Sequence, residues 1–178
     1  MESTYEEAVQ LRAQGQAGQA VTIFAQLLEK DPNNAELLYQ MACAHDNLGL
    51  EKQAVPYYVA ALRNQLGESH RPGALLGLGS TYRTLGQYED AKEILAQGVS
   101  EFPNHRELKV FYAMALYNVG EHAEAMKLLL TELADTTKDQ ELLVSRKQFV
   151  STQISWITYG MSRQNEFSFI SRMAYLKK

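Results

Sequence analysis

The sequence predicts an all-α fold in which helical hairpins repeat along the chain and stack into an α-α superhelix, and three observations predict it. Gly15, Gly49, Gly86 and Gly120 are spaced 34, 37 and 34 residues apart. Each is followed five residues later by an alanine: Ala20, Ala54, Ala91 and Ala125. In the same register the eighth position of each unit is small (Ala8, Ala42, Gly79, Ala113) and the twenty-fourth is large (Phe24, Tyr58, Leu95, Leu129). Self-similarity at a period of about 20 to 50 residues is the signature of an architecture built from one repeated supersecondary unit.

The period divides the chain into units at residues 1–34, 35–71, 72–105 and 106–139, with a different segment at 140–178. Each unit is expected to hold a first helix, near residues 3–14, 36–48, 73–85 and 107–119, and a second, near 17–30, 51–65, 88–101 and 122–134. The repeated glycine ends the first helix, because glycine enters the left-handed conformation at little cost. Small residues at the eighth and twentieth positions let the two backbones cross closely, and large ones at the seventh and twenty-fourth fill the space beside the crossing. A single hairpin cannot bury its own apolar stripe, so stability has to come from stacking neighbours, with a right-handed superhelix as the expected result.

The third unit carries Leu78-Gly79-Ser80-Thr81-Tyr82, then Leu85-Gly86-Gln87-Tyr88, Ala91 and Phe102-Pro103-Asn104, and the first closes on Asp31-Pro32-Asn33-Asn34. This pattern resembles the tetratricopeptide-repeat family over about residues 1–137. Individual units depart from it. Glu7 stands where a large apolar residue is usual, the second unit replaces its closing proline with the run 65–71, and the fourth ends at 135–139 without one. Pro56 falls inside the second helix of the second unit, where the missing backbone donor predicts a mild kink.

From Gln140 the pattern lapses, since Arg146 and Lys147 stand where a fifth unit would need a large and a small residue. Leu143, Val150, Ile154 and Ile157, with Leu142, Phe149 and Trp156 beside them, give an amphipathic helix over 140–158 that caps the stack. The stretch 162–178 holds Phe167, Phe169, Ile170, Met173, Tyr175 and Leu176, more apolar mass than a free tail should carry; a helix, or a strand pairing with 154–159, both accommodate it.

The resemblance implies a groove lined by the first helices. Carried over position by position, its lining is Tyr5, Val9 and Arg12, with Glu2 and Glu6, in the first unit, and Tyr39, Gln40, Cys43, Asp46 and Asn47, with Glu36, in the second. The third supplies Leu76, Ser80, Arg83 and Thr84, and the fourth Val110, Met114, Tyr117 and Asn118, with Glu107 and Phe111. One subclass of the family grips a C-terminal carboxylate with basic and amide side chains; here those places hold Tyr5, Val9, Gln40, Gly73 and Gly77, so that clamp is absent. The groove is aromatic and apolar with an acidic fringe and two arginines, which suits an amphipathic or partly basic peptide held by side-chain burial.

No chemistry competes with this reading. His45, His70, His105 and His122 have no second histidine or cysteine at metal-ligand spacing, and His45 takes a packing position. Gly77-Leu78-Gly79 falls within a helix, where it serves close packing and cannot cradle a phosphate. No catalytic residues, cofactor or metal are expected, and the chain reads as a non-enzymatic adaptor that binds a protein or peptide. The alternative is a self-associating homo-oligomer joined through Trp156, Phe167, Phe169, Ile170, Met173 and Tyr175.

Composition sets the remaining bounds. A content of 46% hydrophobic and 21% charged residues is that of an ordinary globular chain, and the formal net charge of −4 argues against a nucleic-acid partner. One cysteine, an acidic polar start and no apolar run of membrane-spanning length lead us to expect a cytoplasmic protein without a membrane partner.

Overall fold

A computed structural model describes residues 4–146. Among these the chain forms α1 (Tyr5–Ala13), α2 (Ala17–Lys30), α3 (Ala35–Asn47), α4 (Glu51–Arg63), α5 (Arg71–Thr84), α6 (Tyr88–Glu101), α7 (Arg106–Asn118) and α8 (His122–Thr136), with no strand. Two compact units result, one ending at Gly120 and one starting at Glu121.

In the compact unit that ends at Gly120 the four glycines do what the period requires: Gly15, Gly49, Gly86 and Gly120 have φ of 81°, 68°, 76° and 85°. The left-handed turn lets the chain fold its last helical carbonyls onto its own amides. Gln16 N–H bonds Leu11 O, Leu50 N–H bonds His45 O and Gln87 N–H bonds Tyr82 O, each at 2.9 Å, while the amides of Gly15, Gly49 and Gly86 bond the next carbonyls along, those of Arg12, Asp46 and Arg83. The helices α1, α3 and α5 are thereby closed, and α2, α4 and α6 are sent back along them.

Helix starts are fixed less uniformly. Thr4 and Glu7 form a capping box at α1, which gives Glu7 a use where the family expects an apolar residue. Asn34 Oδ1 accepts the Leu37 amide at the start of α3. α4 runs as one helix from Glu51 to Arg63 with Pro56 exposed near its start.

From α1 to α7 each helix packs on its sequence neighbours, and in addition α1 touches α3, α3 touches α5 and α5 touches α7. No such contact joins α2 to α4 or α4 to α6 among the described residues. The helices α1, α3, α5 and α7 therefore form one side-by-side layer, and α2, α4 and α6 flank it. Buried between them are Ala8, Ala20 and Phe24, then Ala42, Ala54 and Tyr58, then Ala91 and Leu95, the residues at the recurring small and large positions. Gly79 is the extreme case: a Cβ there would lie 2.4 Å from Leu95 Cγ, so α5 and α6 meet where only hydrogen fits. Truncation to alanine would cost about 3–5 kcal/mol at Phe24 and about 2–5 kcal/mol at Leu95.

The α4–α5 connection replaces the proline stop by a different device. Gln65 takes a left-handed φ of 58°, and the turn this makes drives Leu66 into the cluster around Tyr58, where it is buried. Arg71, at the start of α5, holds Glu101, at the end of α6, through two bonds of 2.6 and 3.0 Å.

The compact unit that starts at Glu121 contains α8, its last turn bonded through Thr136 Oγ1 to Glu132 O at 2.7 Å. Asp139 Oδ1 then accepts the amides of Glu141 and Leu142, starting a helical stretch at Gln140 that continues to the last described residue, Arg146, whose guanidinium bonds Asp135. The expected continuation of this helix to 158, and the stretch 162–178, lie outside the described residues, as do Glu2, Trp156, Phe167, Phe169, Ile170, Met173 and Tyr175.

Candidate functional site

Hydrogen bonds between residues about one repeat apart tie the first helices together. Tyr5 Oη on α1 donates to Glu36 Oε1 on α3 at 2.7 Å and accepts from Gln40 Nε2 at 3.2 Å. Two turns further along the same faces, Arg12 Nη1 donates to Asn47 Oδ1 at 3.4 Å. The pattern returns two units later, where Arg83 Nε on α5 donates to Asn118 Oδ1 on α7 at 3.0 Å. Gln40–Tyr5, Asn47–Arg12 and Asn118–Arg83 all bridge a separation of 35 residues.

Between α3 and α5 the ladder becomes a buried cluster. Asp46 accepts from Tyr58 Oη at 2.8 Å, and Thr81 Oγ1 lies 3.0 Å from both its carboxylate oxygens. Tyr58 Oη also lies 3.6 Å from Cys43 Sγ. Burial, the largest influence, raises the Asp46 pKa, and the Tyr58 and Thr81 hydroxyls only partly oppose it. The same desolvation raises the Cys43 thiol and the Tyr39 and Tyr58 hydroxyls, and pushes Tyr5 up to about 12. Cys43 is therefore a protonated thiol and a poor nucleophile.

Gly73 and Gly77 are not vacancies in the groove. A Cβ on Gly73 would lie 2.6 Å from Tyr39 Oη, and one on Gly77 would lie 2.5 Å from Tyr58 Oη. The second unit's tyrosines occupy the room that side chains of the third would take, so no clamp side chain fits at either place. Tyr39 also stands 5.3 Å, ring to ring, from His70, whose Nδ1 is 3.7 Å from Glu36. His45 packs as its position suggested, 5.2 Å from the Tyr57 ring with Nδ1 on Met41 O.

The sequence-derived lining thus divides in two. Tyr5, Arg12, Gln40, Asp46, Asn47, Arg83 and Asn118 are joined to one another or to their neighbours by the bonds above, and Val9, Tyr39, Cys43, Leu76, Ser80 and Val110 are half-buried. Met114 and Tyr117, one and two turns beyond Val110 on α7, stand out at 38% and 61% exposed. Tyr58 and Thr81 take part although the repeat register did not place them in the groove; Gly73 and Gly77, inside the third repeat's first helix, were the signal in the sequence that large side chains approach there. Among the described residues no three His, Cys, Asp or Glu side chains converge on a metal position, and no helix is long and apolar enough to cross a membrane.

A family profile described as "Tetratrico peptide repeat" matches residues 35–140, and a second, "Tetratricopeptide repeat", matches residues 3–34. The chain belongs to the tetratricopeptide-repeat family. Domains of this family are in general protein-interaction scaffolds, and the chain is a protein-interaction module of that kind. No curated protein matches it in sequence. Among solved structures it is similar to MamA, with a TM-score of 0.67 at 15% identity over 94% of this chain and 99% of the other. It is also similar to MamA 41-end from Desulfovibrio magneticus RS-1, at 0.66 and 18% over 89% and 92%. YrrB, a TPR protein with an unusual peptide-binding site, gives 0.61 and 18% over 89% of each chain. At these identities the likeness is one of fold: an all-α tetratricopeptide-repeat solenoid.

Proposed function

We propose that the first-helix layer of this tetratricopeptide-repeat chain binds a segment of another polypeptide, acting as an adaptor without catalytic chemistry. The observation that carries the reading is the exposure of Met114 and Tyr117 on α7, beside half-buried Val110. Large apolar side chains in a row on one helix face are what an amphipathic segment buries. The peptide-binding site of the structurally similar YrrB supports it. The binding face would comprise the residues inferred from the repeat register, with α7 supplying apolar anchors and the α1–α5 ladder a rigid, hydrogen-bonded floor. The partition into repeats at 1–34, 35–71, 72–105 and 106–139, with a cap at 140–178, and a cytoplasmic location in keeping with the single Cys43, belong to the same proposal.

Alanine at both Met114 and Tyr117, followed by affinity capture and mass spectrometry, tests the adaptor reading: the double variant should lose partners that wild type retains, and an unchanged set defeats it. Self-association through Phe167–Leu176 is the second reading, favoured by the apolar residues of that stretch. Light scattering of the full chain and of a chain ending at Gly160 decides it, since monomers in both would rule it out.

A further inference from the structure

The bonds that join neighbouring helices of the layer follow the repeat in position but not in charge. Arg12, Asp46 and Arg83 are spaced 34 and 37 residues apart, like Gly15, Gly49 and Gly86, so they hold the same place on α1, α3 and α5. Each bonds a residue 35 positions further on, on the next helix of the layer. Arg12 and Arg83 donate to the neutral amides of Asn47 and Asn118, at 3.4 and 3.0 Å. An arginine does not give up its proton in a protein, so these two links have a single form. Asp46 meets Thr81 instead, with both carboxyl oxygens 3.0 Å from Oγ1. Of the three joints, only the one between α3 and α5 has at this place a side chain that gains and loses a proton.

Counting protons shows what that difference does. Thr81, 3% exposed, has one hydroxyl proton and two acceptors for it: Gly77 O at 2.8 Å, one turn back on α5, and the Asp46 carboxyl. With Asp46 protonated, Tyr58 donates to Asp46, Asp46 to Thr81 and Thr81 to Gly77 O, and every proton has its own acceptor. With Asp46 ionised, Thr81 must turn its proton away from Gly77 O or present a lone pair to the carboxylate. Among the described residues no cation bonds that carboxylate. The titratable and charged groups around it are Cys43 and His45 on α3, Arg12 on α1, Glu51 and Tyr58 on α4, and Tyr82 and Arg83 next to Thr81 on α5. Arg12 and Arg83 are committed to Asn47 and Asn118, His45 and Glu51 act on Asp46 with opposite sign, and the charges of α2, Glu29 and Lys30, lie towards the other end of α3. An unpaired charge in such a place is stabilised by letting water in. We propose that Asp46 is a proton-operated clasp: protonated, it ties α3 to α5 through Thr81; ionised, it draws water between them, and this joint loosens while the Arg12 and Arg83 links stay closed. Burial makes the closed joint hold the proton more tightly than an exposed aspartate would, so the clasp is shut at low pH and loosens as pH rises through the closed-state value. The layer then moves as two pairs, α1 with α3 and α5 with α7, about a single joint.

The test follows the full chain by NMR across the Asp46 titration, read from its carboxyl carbon, together with amide hydrogen exchange corrected for its intrinsic pH dependence. Protection of the amides around Asp46 and Thr81 should fall with the midpoint of that titration, by about tenfold for each pH unit by which the closed joint holds the proton above the open one. Protection on α1 and α7 should stay level. Asp46→Asn reproduces the bonding pattern of the protonated acid, with N–H towards Thr81 and C=O towards Tyr58, and should keep protection level at every pH. Thr81→Val leaves Asp46 in place but removes the other half of the clasp; its protection should be low throughout, with no step at the Asp46 midpoint, which covers an Asp46→Asn chain that does not fold. Level protection in wild type, a step of equal size on α1 and α7, or a step surviving in either variant would overturn the proposal. No partner takes part, so the outcome is independent of whether the Met114 and Tyr117 variant keeps its partners.

Discussion

Substituting Gly73 by alanine gives a prediction whose sign depends on one oxygen atom. The added Cβ would lie 2.6 Å from Tyr39 Oη, but 3.5 Å from Cζ and 3.9 Å from Cε2, both ordinary contacts. Overpacking of this kind costs about 1–3 kcal/mol, towards the low end here because the hydroxyl is the far end of a half-buried ring. Against it stands the helix propensity of alanine over glycine, at most about 1 kcal/mol and smaller in a first turn. Gly73→Ala alone should therefore be neutral to destabilising by about 1 kcal/mol. Once Tyr39→Phe has removed the hydroxyl, the same change should stabilise by about 0.5 kcal/mol, a coupling of about 1 kcal/mol. Gly77→Ala is the control: its Cβ would meet Tyr58 Oη, Cζ and Cε1 at 2.5, 2.6 and 2.9 Å, so Tyr58→Phe cannot make room. Urea unfolding followed by far-UV circular dichroism reads all the variants. Additive effects of Gly73→Ala and Tyr39→Phe, or rescue of Gly77→Ala by Tyr58→Phe, would refute the packing argument.

Three further outcomes are expected. The folded state holds the Asp46 proton more tightly than the unfolded chain does, so stability falls as pH rises from the unfolded value near 3.8 through the raised folded one. Asp46→Asn should remove that slope, and parallel pH profiles for variant and wild type would contradict it. Glu101 titrates low, chiefly because of Arg71, so its contribution is present above the unfolded pKa and lost as pH falls through the lowered one; Glu101→Gln should cost under about 1 kcal/mol at neutral pH and nothing in acid, as thermal melts would show. Gln65→Gly relieves a left-handed residue and should leave stability unchanged or raise it by up to about 1 kcal/mol in chemical unfolding, whereas a loss would mean that the Gln65 side chain holds the turn.

Much of the fold was legible in the chain. The four glycines had to turn left-handed because a helix that reverses within three residues needs φ above zero, and Ala8, Ala42 and Gly79 had to be small because Phe24, Tyr58 and Leu95 come back against them. The candidate face was legible only as a set of positions. Asp46 occupies a groove position in sequence, yet its carboxylate is committed to Tyr58 and Thr81, and the close packing expected at Gly77 turns out to be against Tyr58, as that at Gly73 is against Tyr39. No local pattern distinguishes Tyr39 or Asp46 from an available side chain.

By itself, then, the sequence determined the repeat unit, its helices and the register in which small and large residues alternate, because these follow from helical periodicity and from backbone geometry at glycine. Only the tertiary structure decided which first-helix residues bond across 35 residues of chain, that Leu66 enters the core behind Gln65, and that Arg12 Nε and Gln40 Oε1 are left without partners. Those outcomes depend on how closely neighbouring helices approach and at what offset, a property of several side chains packing together that no single period encodes.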